Sequence, residues 1–373
     1  MKYDKDKELR KLEKTNEELV KFMKDYPKNR MIISAIGNSI STGFSFSEPS
    51  RFLLDRNKGL IECGKNNNLD INTYHFSRSE NNNSYNVFKW IIDNISERQI
   101  YEMNRFDYLK RIKRNKELLS KKEINKYFKN PSDMKIQDVI FDNDKQKSNI
   151  IVLNLGTGSF LDVVTRKGSL SIPSISTSLK RDISGIISIL ELIQNNNRDN
   201  NSNTQIYICG APKILNTFIT DLFINRKIKR LENIYSNITY VPSFPRQVFY
   251  KDRNNNIILD PHYSEAEYYL FLNEIENKII DNYLVKDLLI DIDRALYKLS
   301  KYNELHDKKY SVKDIKDIID EIAKKYESKT GDYNYFIDIV KNYVKVRYPH
   351  DFYYADEKRN ASLELDDMKR GKK

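Results

Sequence analysis

Cysteine and histidine are scarce in this chain of 373 residues: Cys63 and Cys209 are the only cysteines, and His75, His262, His306 and His350 the only histidines. Two cysteines build neither a disulfide framework nor a zinc site. Histidines this few and this scattered argue against metal catalysis, so neither a metal nor a cofactor is expected. No stretch approaches the roughly 18 to 20 apolar residues that span a bilayer. The first thirty residues form a charged helical pattern without the apolar core of a secretory signal, so a cytoplasmic location is expected. A nucleotide fingerprint is missing as well. Gly156-Thr157-Gly158 lacks the third glycine of G-x-G-x-x-G and the lysine of a phosphate-binding loop.

Hydrophobic residues make up 39% of the chain and charged residues 31%. That balance allows one large domain with an appendage, or two ordinary domains. The formal net charge of +11 points to an anionic partner without choosing among nucleic acid, a membrane surface and an acidic polymer. The densest basic stretch, Lys110 to Lys129, also carries Leu109, Ile112, Leu118, Leu119 and Phe128 nearby, and reads as the solvated face of an amphipathic helix. A zinc module, an RNA-binding motif and a basic-aromatic groove pattern are all missing, which argues against nucleic acid. The asparagine runs at 66–68, 81–83 and 195–197 read as composition bias.

Short apolar runs at Met31–Ile36, Leu69–Phe76, Asn149–Asn154, Gln205–Gly210 and Asn237–Val241 read as strands, and helical patterns lie between most of them. Five strands alternating with helices predict a parallel sheet covered on both faces. Lys5 to Asp25 reads as a helix with an apolar stripe of Leu9, Leu12, Leu19 and Phe22, and Leu179 to Gln194 as a helix with isoleucines along one face. The segment 97–148 predicts two or three helices, and Asn195 to Asn203 a polar loop. After Asn282 the strand signals stop, and helices are predicted over Leu284–Leu299, Val312–Tyr326 and Tyr333–Val346, the second capped by Ser311 and Asp314. The division is thus an N-terminal helix over 1–30, an α/β domain over 31–282 and a helical region over 283–373.

Active sites of parallel sheets form at the carboxyl ends of the strands. Gly37-Asn38-Ser39-Ile40-Ser41-Thr42-Gly43 follows the first strand directly. A hydrolytic serine needs such a turn, so that its hydroxyl enters a cleft and neighbouring N–H groups face the developing oxyanion. The ordinary role of a serine after a strand is to cap a helix. Far downstream stands Asp260-Pro261-His262-Tyr263-Ser264-Glu265-Ala266-Glu267. Ser264 and Glu267 have capping-box spacing, which sets His262 on a loop before a helix. A loop-borne imidazole can reach a strand-end serine, and a carboxylate two residues away can orient it. His75, near the end of the second strand, is the competing base.

Gly-Asn-Ser-Ile-Ser-Thr-Gly at 37–43 resembles the opening block of the SGNH/GDSL hydrolases, and Asp-Pro-His at 260–262 with the helix after it resembles their closing block. Ser77 to Asn83 and Leu155 to Phe160 stand at the positions of the two middle blocks. The resemblance covers about residues 31 to 282. It implies a flavodoxin-like three-layer α/β/α sandwich with a five-stranded parallel sheet, here followed by a C-terminal helical appendage. It also implies Ser39 as nucleophile, His262 as general base and acid, Asp260 as its orienting carboxylate and the Ser39 backbone N–H as an oxyanion donor.

The middle blocks depart from the family pattern. Gly158 stands where the family places its oxyanion asparagine, and Glu80 or an adjacent asparagine stands where it places a glycine. Asn81, Asn82 and Asn83 are candidates for the missing amide, Asn82 being the one assigned with Gly158 to the oxyanion site. Asn38 replaces an aspartate, and Asp260-x-His262 is one residue shorter than the usual spacing. Two functions follow as expectations. One is an esterase acting on an acyl-ester small molecule or an O-acylated carbohydrate. The other is a catalytically degenerate protein that keeps the fold and binds through its basic surface.

Overall fold

The computed structural model describes residues 4–25, 30–38, 60–78, 83–114, 131–141, 149–155, 172–200, 202–211, 224–244, 249–251, 257–259, 263–306 and 312–330. Its centre is a parallel sheet of β1 (Arg30–Gly37), β2 (Asp70–Ser77), β3 (Ile150–Asn154), β4 (Gln205–Cys209) and β5 (Ile238–Val241), ordered β2-β1-β3-β4-β5. This is the flavodoxin-like order. The chain turns from one side of β1 to the other after β2, which sets the topological switch point between β1 and β3. All four pairings are parallel.

Every residue of β3 and β4 is buried, as the near-continuous Ile/Val/Leu runs require of strands covered on both faces. Successive residues serve opposite layers. Ile151, Leu153, Ile206, Ile208 and Ile238 meet one core, with α2 (Ser84–Ile92), α4 (Ile136–Phe141), α5 (Ile172–Asp199) and α6 (Arg226–Ile234). Met31, Ile33, Ile150, Val152, Tyr207 and Val241 meet the other, with α1 (Lys5–Asp25) and the first half of α7 (Glu265–Leu305). Each such side chain contributes about 1.5–3 kcal/mol by leaving water. A glycine lets two helices of the first layer touch. A Cβ on Gly185 of α5 would lie 2.7 Å from the Ser84 backbone carbon of α2.

The edge strand β2 is only partly covered. Glu97, at the start of α3 (Glu97–Arg114), accepts a hydrogen bond from the His75 backbone N–H at 3.0 Å and so blunts the edge. A two-stranded antiparallel hairpin, β6 (Phe249–Lys251) with β7 (Ile257–Leu259), lies between β5 and α7 and was not expected.

α7 has 41 residues, which at about 1.5 Å per residue is roughly 60 Å. It outruns the sheet. The sequence reading ends a region at residue 282, whereas the helix passes through Tyr283 without a break. Its start carries the expected capping box: Glu267 N–H donates to Ser264 Oγ, and Ser264 N–H to Glu267 Oε2 at 2.6 Å. Its second half docks on the far end of α5 and on the starts of β4 and β5. There Asp293 receives Arg198 at 2.7 and 3.2 Å and Gln194 at 2.6 Å. Arg294 donates to the Asn197 carbonyl at 2.8 Å and to the Ser202 carbonyl, and Gln205 Nε2 to the Tyr283 carbonyl at 2.8 Å.

The expected loop over Asn195 to Asn203 is corrected here, because α5 continues to Asp199. Asn196 and Asn197 are buried and bonded to the Ile140 and Thr204 carbonyls, so tertiary hydrogen bonds replace the missing apolar periodicity. α8 (Val312–Thr330) follows, with Asp314 in its first turn; Ser311 and the helix expected over Tyr333–Val346 lie outside the described residues. No helix of the described residues is long and apolar enough to cross a membrane.

Candidate functional site at the carboxyl edge of the sheet

The five strands end on Gly37, Ser77, Asn154, Cys209 and Val241. Gly37 stands beside Ser77 on one flank and Asn154 on the other, while Asn154 stands beside Cys209, and Cys209 beside Val241. The ladder continues one step past β1. Asn38 N–H donates to the Asn154 carbonyl and Arg78 N–H to the Gly37 carbonyl, both at 3.3 Å. These two bonds hold the exit of β1 between its neighbours at the switch point, where ligands of such sheets bind.

Polar residues collect at this edge although little water reaches them. Asn38, Ser77, Asn154, Asn225 and Ser243 are all buried. Ser77 is braced by Asn104, whose Nδ2 donates to its carbonyl at 2.9 Å. Asn225 stands at the N-cap of α6 but makes no capping bond there. Its carboxamide instead accepts from Ala211 N–H at 2.8 Å and donates to the Ala211 carbonyl at 3.1 Å and to Ser243 Oγ at 3.3 Å, tying the loop after β4 to the one after β5. The approach is so close that a Cβ on Gly210 would sit 2.6 Å from the Tyr240 hydroxyl. A larger residue would have to push the Tyr240 hydroxyl aside.

Asn154 differs from these. Its side chain is 2% exposed, and its Oδ1 has no hydrogen-bond partner. Leaving a buried acceptor unmade costs about 1–3 kcal/mol, and such atoms are uncommon enough in folded proteins to call for an explanation. Its place, on the last residue of β3 beside Gly37, is the middle of the switch point.

Ser39, Asn81, Asn82, Gly158, Asp260 and His262 lie outside the described residues. Their described neighbours do not. Asn38 ends the exit of β1, Arg78 follows β2, and Asn83 caps α2 by accepting from Asn86 N–H at 2.9 Å. Leu155 follows β3. Tyr263 is 1% exposed and packs edge-on against Phe244, with ring centroids 6.4 Å apart, just beyond β5. Its hydroxyl accepts from Phe244 N–H at 3.4 Å. The flanks of all four sequence blocks therefore reach the same edge. No family model, curated protein or solved structure matches this chain.

The competing histidine is accounted for differently. His75 sits inside β2, two residues before its end, and its backbone serves Glu97. His306 caps the far end of α7 against Tyr302, with ring centroids 4.3 Å apart, and His350 lies outside the described residues. Sequence reasoning missed Asn154 and Asn225, since nothing in a single asparagine reveals an orphaned or a bridging carboxamide. It also passed over the basic run Arg226-Lys227-Ile228-Lys229-Arg230 in favour of the denser one at 110–129, although the shorter run is legible in the sequence.

Proposed function

We propose that this chain is a serine esterase of SGNH type, transferring the acyl group of an ester through Ser39 to water. The observation that supports it is the common destination of the block flanks. Asn38, Arg78, Asn83, Leu155 and Tyr263 all stand at the carboxyl edge of a 2-1-3-4-5 sheet, where a strand-end nucleophile and a loop-borne base would meet. The Asn38 bond to the Asn154 carbonyl fixes the residue that precedes Ser39.

In this reading the Ser39 hydroxyl adds to the ester carbonyl carbon while its proton passes to His262, held in orientation by Asp260. The oxyanion faces the Ser39 backbone N–H, with Asn82 and the Gly158 backbone as further donors. Collapse breaks the bond to the alcohol, which leaves with the proton from His262. Water then repeats the sequence on the acyl-serine and releases the carboxylic acid. The substrate proposed is a small acyl ester or an O-acylated carbohydrate.

Gly158 in the place of an oxyanion asparagine supports the second reading, a degenerate member that binds without turnover. Loss of one oxyanion donor typically costs roughly 10²–10³ in rate. Hydrolysis of p-nitrophenyl acetate separates the two. The esterase reading expects activity that Ser39→Ala and His262→Ala each reduce by about 10³ or more. Equal rates in all three folded proteins would leave only the binding reading.

A further inference from the structure

Four of the strands end in one row. Gly37, Asn154, Cys209 and Val241 lie side by side across β1, β3, β4 and β5. Successive residues of a strand face opposite layers, and Ile150, Val152, Tyr207, Cys209 and Val241 all meet the core that holds Tyr263. Asn154 shares the parity of Ile150 and Val152, so its carboxamide faces that same layer. Beside it stands Gly37, which has no side chain. Tyr263 follows His262 in the chain, and Ser39 comes two residues after Gly37. Two residues of chain span at most about 7 Å, so an ester attacked by Ser39 has its carbonyl near this row.

The donors described around Asn154 are committed elsewhere. Asn38 N–H donates to the Asn154 carbonyl and Arg78 N–H to the Gly37 carbonyl, both at 3.3 Å. Ser77 Oγ donates to the Ala35 carbonyl at 3.5 Å, and Cys209 Sγ to the Tyr207 carbonyl at 3.9 Å. Asn225 Nδ2 serves Ala211 and Ser243. Asn154 Oδ1 stays unpartnered in a side chain that is almost wholly buried. A leucine would fill the same space without orphaning an acceptor, so the asparagine works against the fold that carries it. Residues that break a local rule in this way collect at functional sites, where stability and activity pull apart.

The orphaned atom also narrows its partner. A carboxamide oxygen only accepts, so what completes it brings an N–H or an O–H. An ester group and a plain hydrocarbon chain bring neither.

We propose that Asn154 is a specificity-determining residue, whose Oδ1 accepts a hydrogen bond from an N–H or O–H that the substrate carries within a few atoms of the scissile ester. This rests on the esterase reading above. The donor belongs to the acyl group or to the alcohol, and the chemistry at Oδ1 is the same for both. A substrate with the donor completes the buried acceptor, whereas one without it leaves the acceptor unmade and is disfavoured.

The test uses two pairs of esters, each differing by hydroxyl against methyl. On the acyl side they are p-nitrophenyl 3-hydroxybutyrate and p-nitrophenyl 3-methylbutanoate; on the alcohol side, 2-hydroxyethyl acetate and propyl acetate. In at least one pair the native protein is expected to favour the hydroxyl member in kcat/KM by about tenfold, and the pair that shows it identifies the source of the donor. Asn154→Leu should remove that preference, slowing the hydroxyl member far more than the methyl one, and should melt no lower than the native protein. A merely structural Asn154 would leave the ratio unmoved. Hydrolysis without preference in either pair, a preference that survives in Asn154→Leu, or a variant that melts lower and loses both members alike would overturn the proposal and leave the esterase reading standing. A native protein that hydrolyses none of the four esters, nor p-nitrophenyl acetate, would overturn both.

Discussion

The two ends of the sheet differ in what their described buried polar groups hold. At the amino end they are spent on one another. Asp293 takes Arg198 and Gln194, Arg294 takes the Asn197 and Ser202 carbonyls, and Asn203 takes Asp287 and Asp291, so the second half of α7 is fastened to α5 and the β4 entry. The satisfaction is incomplete there: both side-chain polar atoms of Asn237, together with Gln194 Oε1 and Thr239 Oγ1, are buried without a hydrogen-bond partner. At the carboxyl edge two described asparagines behave differently from one another. Asn225 braces two loops, and Asn154 keeps an unpartnered oxygen at the switch point. The described bonds thus fasten a long helix at the floor and brace two loops at the upper edge.

The largest expected effect is at the floor. Asp293→Ala strips Arg198 and Gln194 of their shared acceptor, and breaking a buried pair from one side should cost about 3–5 kcal/mol in urea unfolding. Activity per folded molecule should hold. Parallel losses of stability and activity would break the comparison.

Lys286 is the floor's weak point. It is buried on α7, and that burial, partly offset by Glu232, pulls its ammonium down to about 8. At pH 7 both folded and unfolded lysines are charged, and the folded one bears the desolvation. Above about pH 8 the folded lysine has lost a proton that the unfolded one keeps until about 10.5, so native stability rises with pH across that window. Lys286→Met should therefore be more stable than the native protein by about 2–3 kcal/mol at pH 7. The advantage should shrink between pH 8 and 10.5, as denaturant midpoints across pH would report. Tyr207 and Tyr283, held protonated by burial, pull the other way only at more alkaline pH.

Two smaller changes probe the upper edge. Asn225→Ala leaves the Ala211 N–H and carbonyl without their carboxamide partner and should cost about 1–3 kcal/mol, read as a lower melting temperature. Asn154→Leu should do the reverse. Replacing an orphaned acceptor by an apolar group of similar size should raise stability by about 1 kcal/mol. A loss there of the size seen for Asn225→Ala would mean that Asn154 is bonded after all.

All five strands were legible in the sequence to within a residue or two at their ends, because strands buried on both faces write continuous apolar runs. The cap of α7 was legible too, since Ser264 and Glu267 are three residues apart and their bonds are local. What stayed hidden was tertiary. The asparagine runs read as composition bias, yet Asn68 adopts a left-handed φ of 57°, Asn83 caps α2, and Asn196 and Asn197 are bonded in the core. β6 and β7, three residues each, are too short to show a period. The full length of α7 was missed because its buried face includes Lys286, Asp287, Asp293 and Arg294, which a hydropathy pattern reads as solvent-facing. Of the candidate site, the sequence supplied the blocks, and the fold shows their flanks meeting at one edge.

The central claim is that Ser39 is an activated nucleophile. Reaction with a fluorophosphonate probe, followed by mass spectrometry of the digested protein, tests it without a guess about substrate. The account predicts one label per chain, carried on the peptide containing Ser39 and strongly slowed in His262→Ala. A protein that stays unlabelled, or that labels equally well as Ser39→Ala, would contradict it.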